Sequence, residues 1–148
     1  MLQIVNSLAR TTPDAIAFRS HTARRRLGIT GGILRAELLK SHGDGDSAIG
    51  LLHQAVALED SLTHDEPGPL PFAARHWFGA HLLEAGRPAE AEAVYRAELL
   101  DHPKHAWSLY GLAQSLRAQG RGPGADAVDR EFAAAWGAAD VWVRGNRE

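Results

Sequence analysis

The chain of 148 residues contains no cysteine. That absence excludes disulfides, thiolate nucleophiles and cysteine-ligated zinc together, and it fits a reducing compartment, so the cytoplasm is the expected location. Long apolar runs are also missing, and nothing approaches the ~20 residues of a membrane-spanning helix. Residues 1–9 are apolar, but they lack a basic lead-in and are interrupted by Asn6 and Ser7, so a signal peptide is not expected. A strong charge excess is absent as well. With a net charge of −2 and a pI near 6.4, neither nucleic acid nor a membrane is implied as a partner. Lysine occurs only at Lys40 and Lys104, a bias toward arginine that carries no chemistry by itself. No strand-flanked glycine motif of the nucleotide-binding kind is present, because the cluster Gly28, Gly31 and Gly32 matches neither GxxxxGK[ST] nor GxGxxG.

What is present is helical periodicity. With 45% hydrophobic residues, the length allows one compact core and is short for two ordinary domains. Leu2, Ile4, Val5 and Leu8 form a short apolar face closed by Thr11, Thr12 and Pro13, after which a second helix is expected from Pro13. Gly28, Gly31 and Gly32 predict a break or bend before Ile33, since each glycine costs about 1 kcal/mol of helix propensity relative to alanine. Residues 33–40 read as helix, and Asp46 or Ser47 is placed to cap the next one. There Ala48, Leu51, Leu52, Ala55 and Val56 follow the i, i+3, i+4, i+7, i+8 spacing of a buried face. Residues 63–71, with Pro67, Gly68, Pro69 and Pro71, form a loop. Four more helices are expected over 72–84, 88–100, 106–118 and 124–136.

These helices repeat. Gly79 to Ala113, Leu82 to Leu116, Gly86 to Gly120 and Ala91 to Ala125 are each 34 residues apart. Ala36 to Gly79, Leu39 to Leu82, Gly43 to Gly86 and Ala48 to Ala91 are each 43 apart, which is one period plus a nine-residue insertion that the proline-rich loop accommodates. The best-formed repeat carries Arg75, Phe78, Gly79, Leu82, Ala91, Tyr95 and Pro103. Those residues resemble the tetratricopeptide pattern W-x2-L-G-x2-Y, A-x3-F, P, with only the first, normally aromatic, position departing. The chain resembles the C-terminal part of longer bacterial tetratricopeptide proteins that have a similar proline-rich loop after an ALEDSL-like helix end.

The resemblance implies an all-α fold of three tandem antiparallel hairpins stacked as a short right-handed α-solenoid over residues 29–137. An N-terminal helical segment at 1–28 precedes it and a tail at 138–148 follows. It also implies a concave groove lined by the first helix of each hairpin. In this chain the ligand-facing positions hold His76, Trp107, Tyr110, Gln114 and Arg117, with Glu37 and Lys40 in the first repeat. Such modules bind a peptide or protein partner, without catalysis, cofactor or metal.

Other residues suggest chemistry less strongly. His76 and His81 stand five apart and His102 and His105 flank a proline turn, and neither pair has the i, i+4 spacing of a helical zinc site. His64, Asp65 and Glu66 form the one local His and carboxylate cluster. The alternative function is therefore a metal-dependent or hydrolytic enzyme centred there, which stoichiometric metal in purified protein would favour. In the other reading, Asp65 and Glu66 stabilise the start of the following helix or pair with Arg75. Arg24, Arg25 and Arg26 have no interleaved aromatic residues and read as a solvated helix face rather than a phosphate site.

Overall fold

A computed structural model describes residues 2–13, 17–18, 21–62 and 73–136. The element order is α1 (Leu2–Thr11), β1 (Ala17–Phe18), β2 (His21–Thr22), α2 (Ala23–Ser41), α3 (Gly45–Asp60), α4 (Ala74–Glu84), α5 (Pro88–Asp101), α6 (Ala106–Ala118) and α7 (Gly122–Trp136). Apart from one two-residue ladder, the described chain is all-α, and among the described residues no helix is long and apolar enough to cross a membrane. The contacts cluster into two compact units, Met1–His81 and Leu82–Glu148. Within them α1 packs on α2, α2 on α3, α5 on α6 and α6 on α7.

Two expectations for the N-terminal quarter are corrected. No helix runs from Pro13; Ala17 pairs with Thr22 and Phe18 with His21 in an antiparallel ladder, and helix begins again at Ala23. Residues 14–22 have no 3.6-residue apolar stripe, and a short helix without a packed face is marginal. The glycines do not break α2, which continues from Ala23 to Ser41. They serve its contact with α3. A Cβ at Gly28 would stand 3.0 Å from Leu58 Cδ2, and one at Gly32 would stand 3.4 Å from the Ala55 Cβ. Close approach of the two helices offsets the propensity loss, and it buries Ile29, Ile33 and Ala36 against Ala48, Leu52 and Ala55.

The three hairpin turns share one backbone solution. Gly43, Gly86 and Gly120 all have positive φ, between 71° and 85°. Each glycine N–H donates to the carbonyl three residues back, at Lys40, Leu83 and Arg117 (2.9, 3.0 and 2.9 Å). The following N–H, of Asp44, Arg87 and Arg121, donates to Leu39, Leu82 and Leu116 (2.9, 2.8 and 2.9 Å). This is the Schellman end, which satisfies carbonyls that a terminating helix leaves open and needs the left-handed conformation that glycine adopts without a Cβ penalty. The next helix then starts in the same way each time, with Ala48, Ala91 and Ala125 donating to Asp44, Arg87 and Arg121. All three alanines are fully buried. The landmarks that share the 34- and 43-residue spacings therefore share a local structure.

Capping differs from expectation at α3. Asp44, not Asp46 or Ser47, caps α3, its Oδ1 accepting from the Ser47 N–H at 3.2 Å. At α4 the Ala74 N–H donates to Glu59 Oε2 at 2.8 Å, and Arg75 pairs with Asp60 at 2.7 Å. The start of α4 is thus held by the last turn of α3, while Asp65 and Glu66, the expected stabilisers, lie outside the described residues.

In the second unit α6 packs on both α5 and α7, and eight of its residues are buried. Its centre is Gly111. The Tyr95 ring lies so close over that glycine that an added Cβ would stand 2.1 Å from Cζ and 2.5 Å from Cε1 and Cε2. The Tyr95 side chain of α5 thus seats on the helix that follows. Burial above all, reinforced by Glu84 and Tyr110, pushes its phenol well above the ordinary range. Ser115 keeps the interior tight by donating its hydroxyl to the Gly111 carbonyl at 2.8 Å. The Glu92 carboxylate ties α5 to the end of α6 and the α6–α7 turn, accepting from Gln119 (2.8 Å), Arg96 (2.9 Å) and Arg121 (2.7 Å). The Gln119 hydrogen bond, followed by those of the two arginines, holds this carboxyl below its usual range.

Candidate functional site

Because α6 is covered on two sides, little of it reaches solvent. The residues it leaves unburied are Trp107, Tyr110, Gln114, Arg117 and Ala118. Four of these five are positions carried from the repeat register, and at i, i+3, i+7 and i+10 they run down one ridge. Trp107 is 46% exposed, so a large part of its surface is open to solvent. Tyr110 and Gln114 are half-buried. Arg117 is exposed, and its Nη2 donates to Asp129 Oδ2 on α7. The ridge therefore offers two aromatic faces, one amide and one guanidinium that already holds an internal carboxylate.

The remaining groove positions lie elsewhere. His76 is half-buried on α4 within the first unit, so the described site consists of the α6 ridge alone. Glu37 is engaged by the fold, its Oε1 lying 2.5 Å from Nε2 of the buried His81, and Lys40 is half-buried near the end of α2. This contact gives His81 a structural role between α2 and α4.

The other histidines flanking the proline turn are also built into the scaffold. His102 Nδ1 lies 2.9 Å from Oε1 of Glu98, which is itself buried, and the His102 and His105 rings meet edge to face with centroids 6.4 Å apart. Burial is the main cause that lowers the His105 pKa; the charge of Glu98 opposes it and that of His102 adds to it. Asp101, His102, Pro103, Lys104, His105 and Trp136 line a shallow, open depression, in which the Trp136 indole N–H donates to the Lys104 carbonyl at 2.8 Å. Among the described residues no group of three His, Cys, Asp or Glu is arranged to hold a metal ion, and His64, Asp65 and Glu66 lie outside them.

Sequence reasoning missed Asp129 and Trp136. The Arg117–Asp129 pair spans 12 residues and the Trp136 hydrogen bond 32, with no local signal for either. Gly111 was missed too, although Ala113, two positions on, is one of the 34-residue landmarks. No protein-family model, curated protein or solved structure matches the chain.

Proposed function

We propose that the chain is a non-catalytic interaction module, a short solenoid of tetratricopeptide type, whose α6 ridge takes a peptide or protein segment. The observation that supports this reading is the 46% exposure of Trp107 on a helix that otherwise buries most of its residues. An indole held on a rigid, doubly packed helix loses little further freedom when it is covered, and Trp, Tyr and Arg are the side chains that most often dominate binding energy. In this reading Trp107 and Tyr110 supply contact area and Gln114 hydrogen-bonds a ligand backbone. Arg117 selects an acidic side chain or a C-terminal carboxylate by exchanging it for Asp129. That exchange limits its contribution, because the ligand replaces a carboxylate already in place.

The test begins with a partner captured by affinity pull-down and identified by mass spectrometry. Tyr110→Ala and Arg117→Ala should each weaken its binding by roughly 1–2 kcal/mol while circular dichroism shows unchanged helicity. Undiminished capture by the folded double variant would remove the site from α6.

A further inference from the structure

Given the α6 ridge as a binding surface, on which this proposal rests, we infer that its occupant is the α6 ridge of a second copy of this chain, set antiparallel about a two-fold axis. Trp107, Tyr110, Gln114 and Arg117 follow the alternating three- and four-residue steps of a heptad seam, the spacing at which two helices interlock side by side. Their order is self-complementary. With the axis midway between Tyr110 and Gln114, Trp107 of each copy falls opposite Arg117 of the other, and Tyr110 falls opposite Gln114. Each cross-pair then sets an aromatic ring against a planar polar group that stacks on it, guanidinium on indole and amide on phenol. A parallel pair would instead bring guanidinium against guanidinium.

The Arg117–Asp129 pair favours this occupant over an acidic segment of another protein. An incoming carboxylate has to displace Asp129 from the guanidinium, whereas an indole approaches the face of the guanidinium plane and leaves the pair in place. Both members of the cross-pair are accessible, since the Arg117 side chain is 41% exposed and Trp107 46%. Little ordering is needed, because eight other residues of α6 are buried and fix the helix that carries the ridge. The net charge of −2 opposes self-association only weakly. Size sets the strength. From Trp107 to Arg117 the ridge rises about 15 Å, too little for the roughly 800 Å² per partner of a standard interface, so the dimer is weak and depends on concentration.

The test is sedimentation equilibrium of the full chain from about 10 µM to about 1 mM, where a dimer with a dissociation constant on the order of 0.1 mM is expected. Trp107→Arg sets guanidinium against guanidinium in both outer cross-pairs and should weaken the dimer by at least about ten-fold. The swap Trp107→Arg/Arg117→Trp restores both cross-pairs in exchanged order, so it should return the dissociation constant to within about three-fold of its starting value. Both positions are exposed, and circular dichroism should show unchanged helicity in both variants. Gln54→Arg, which adds the same charge at an exposed position of α3, should leave the dimer unchanged. A monomer throughout the range, a dimer indifferent to Trp107→Arg, or a folded swap variant that does not regain the dimer would overturn the inference. A monomer whose capture of another protein still depends on Tyr110 and Arg117 overturns it alone and leaves the ridge as a site for a foreign segment. The ridge itself falls only if the folded Tyr110→Ala/Arg117→Ala variant captures that protein undiminished.

Discussion

Adding one methyl group at Gly111 should destabilise the second unit although it improves helix propensity. The new Cβ would stand 2.1 Å from Tyr95 Cζ, whereas ordinary contact begins at 3.4 Å, so the ring must move by more than 1 Å. The ring is rigid, and Tyr95 is only 4% exposed. Overpacking of this kind costs about 1–3 kcal/mol, and a direct clash with an aromatic ring belongs at the top of that range. Replacing a mid-helix glycine by alanine returns about 1 kcal/mol. The net expectation for Gly111→Ala is a loss of about 2 kcal/mol, or roughly 4–8 °C in Tm for a chain of this size. Gly50 provides the contrast, because it is exposed within α3 and a Cβ there would meet nothing within 4 Å. Gly50→Ala should therefore raise stability by about 0.5–1 kcal/mol. Differential scanning calorimetry of both variants, with Gly111→Ala repeated in a Tyr95→Leu background to relieve the clash, measures the coupling directly. A higher Tm for Gly111→Ala, or a cost unchanged by Tyr95→Leu, would refute this account of the contact.

Tyr95→Ala should cost about 3 kcal/mol in denaturant unfolding, against a few tenths for Arg96→Ala, which loses only a surface pair with Glu92; equal costs would mean that α5 presents its other face. The lowered pKa of His105 means that the folded state favours neutral imidazole. Its contribution should be complete above the unfolded value near 6.5 and be lost as pH falls through the lower folded value, so His105→Asn should flatten the fall in Tm that sets in as pH drops below about 6.5. Glu92 is depressed from 4.5, so its contribution should persist through that window and disappear only at more acid pH, leaving a second step in the His105→Asn variant.

The helices from α3 onward were legible because their signals are local. Glycine at a left-handed helix end, proline at the first turn and apolar spacing of 3.6 are each decided within one or two turns, and the bounds of α6 agree residue for residue. The repeat was legible for the same reason, since Gly43, Gly86 and Gly120 make one kind of turn from one kind of sequence. The course of α2 was not legible. Gly28 and Gly32 look like helix breakers until Leu58 and Ala55 are known to lie against them, and that fact belongs to α3. The candidate ridge divides similarly. Its four α6 members come from the register that the resemblance supplies, whereas the engagement of Arg117 by Asp129 and of Glu37 by His81 depends on which helices meet.

The variable connection in the repeat can be tested on the same grounds. Thirteen residues separate α3 from α4, but only four separate α5 from α6, a difference equal to the nine-residue insertion inferred from spacing. The start of α4 is fixed by the Glu59 bond to the Ala74 N–H and by the Asp60 pair with Arg75, both anchored outside residues 63–71. Those residues are then not needed to position the helix. Deleting 63–71 leaves a four-residue connection like that between α5 and α6, and shortening a connection from thirteen residues to four recovers about 1 kcal/mol of closure entropy. The deletion should keep helicity and leave unfolding cooperative, with stability unchanged or higher by up to about 1 kcal/mol. Glu59→Ala, by contrast, should lose about 1 kcal/mol, as other lost helix caps do. If the deletion unfolds the first unit while Glu59→Ala is silent, the loop rather than the last turn of α3 holds α4 in place.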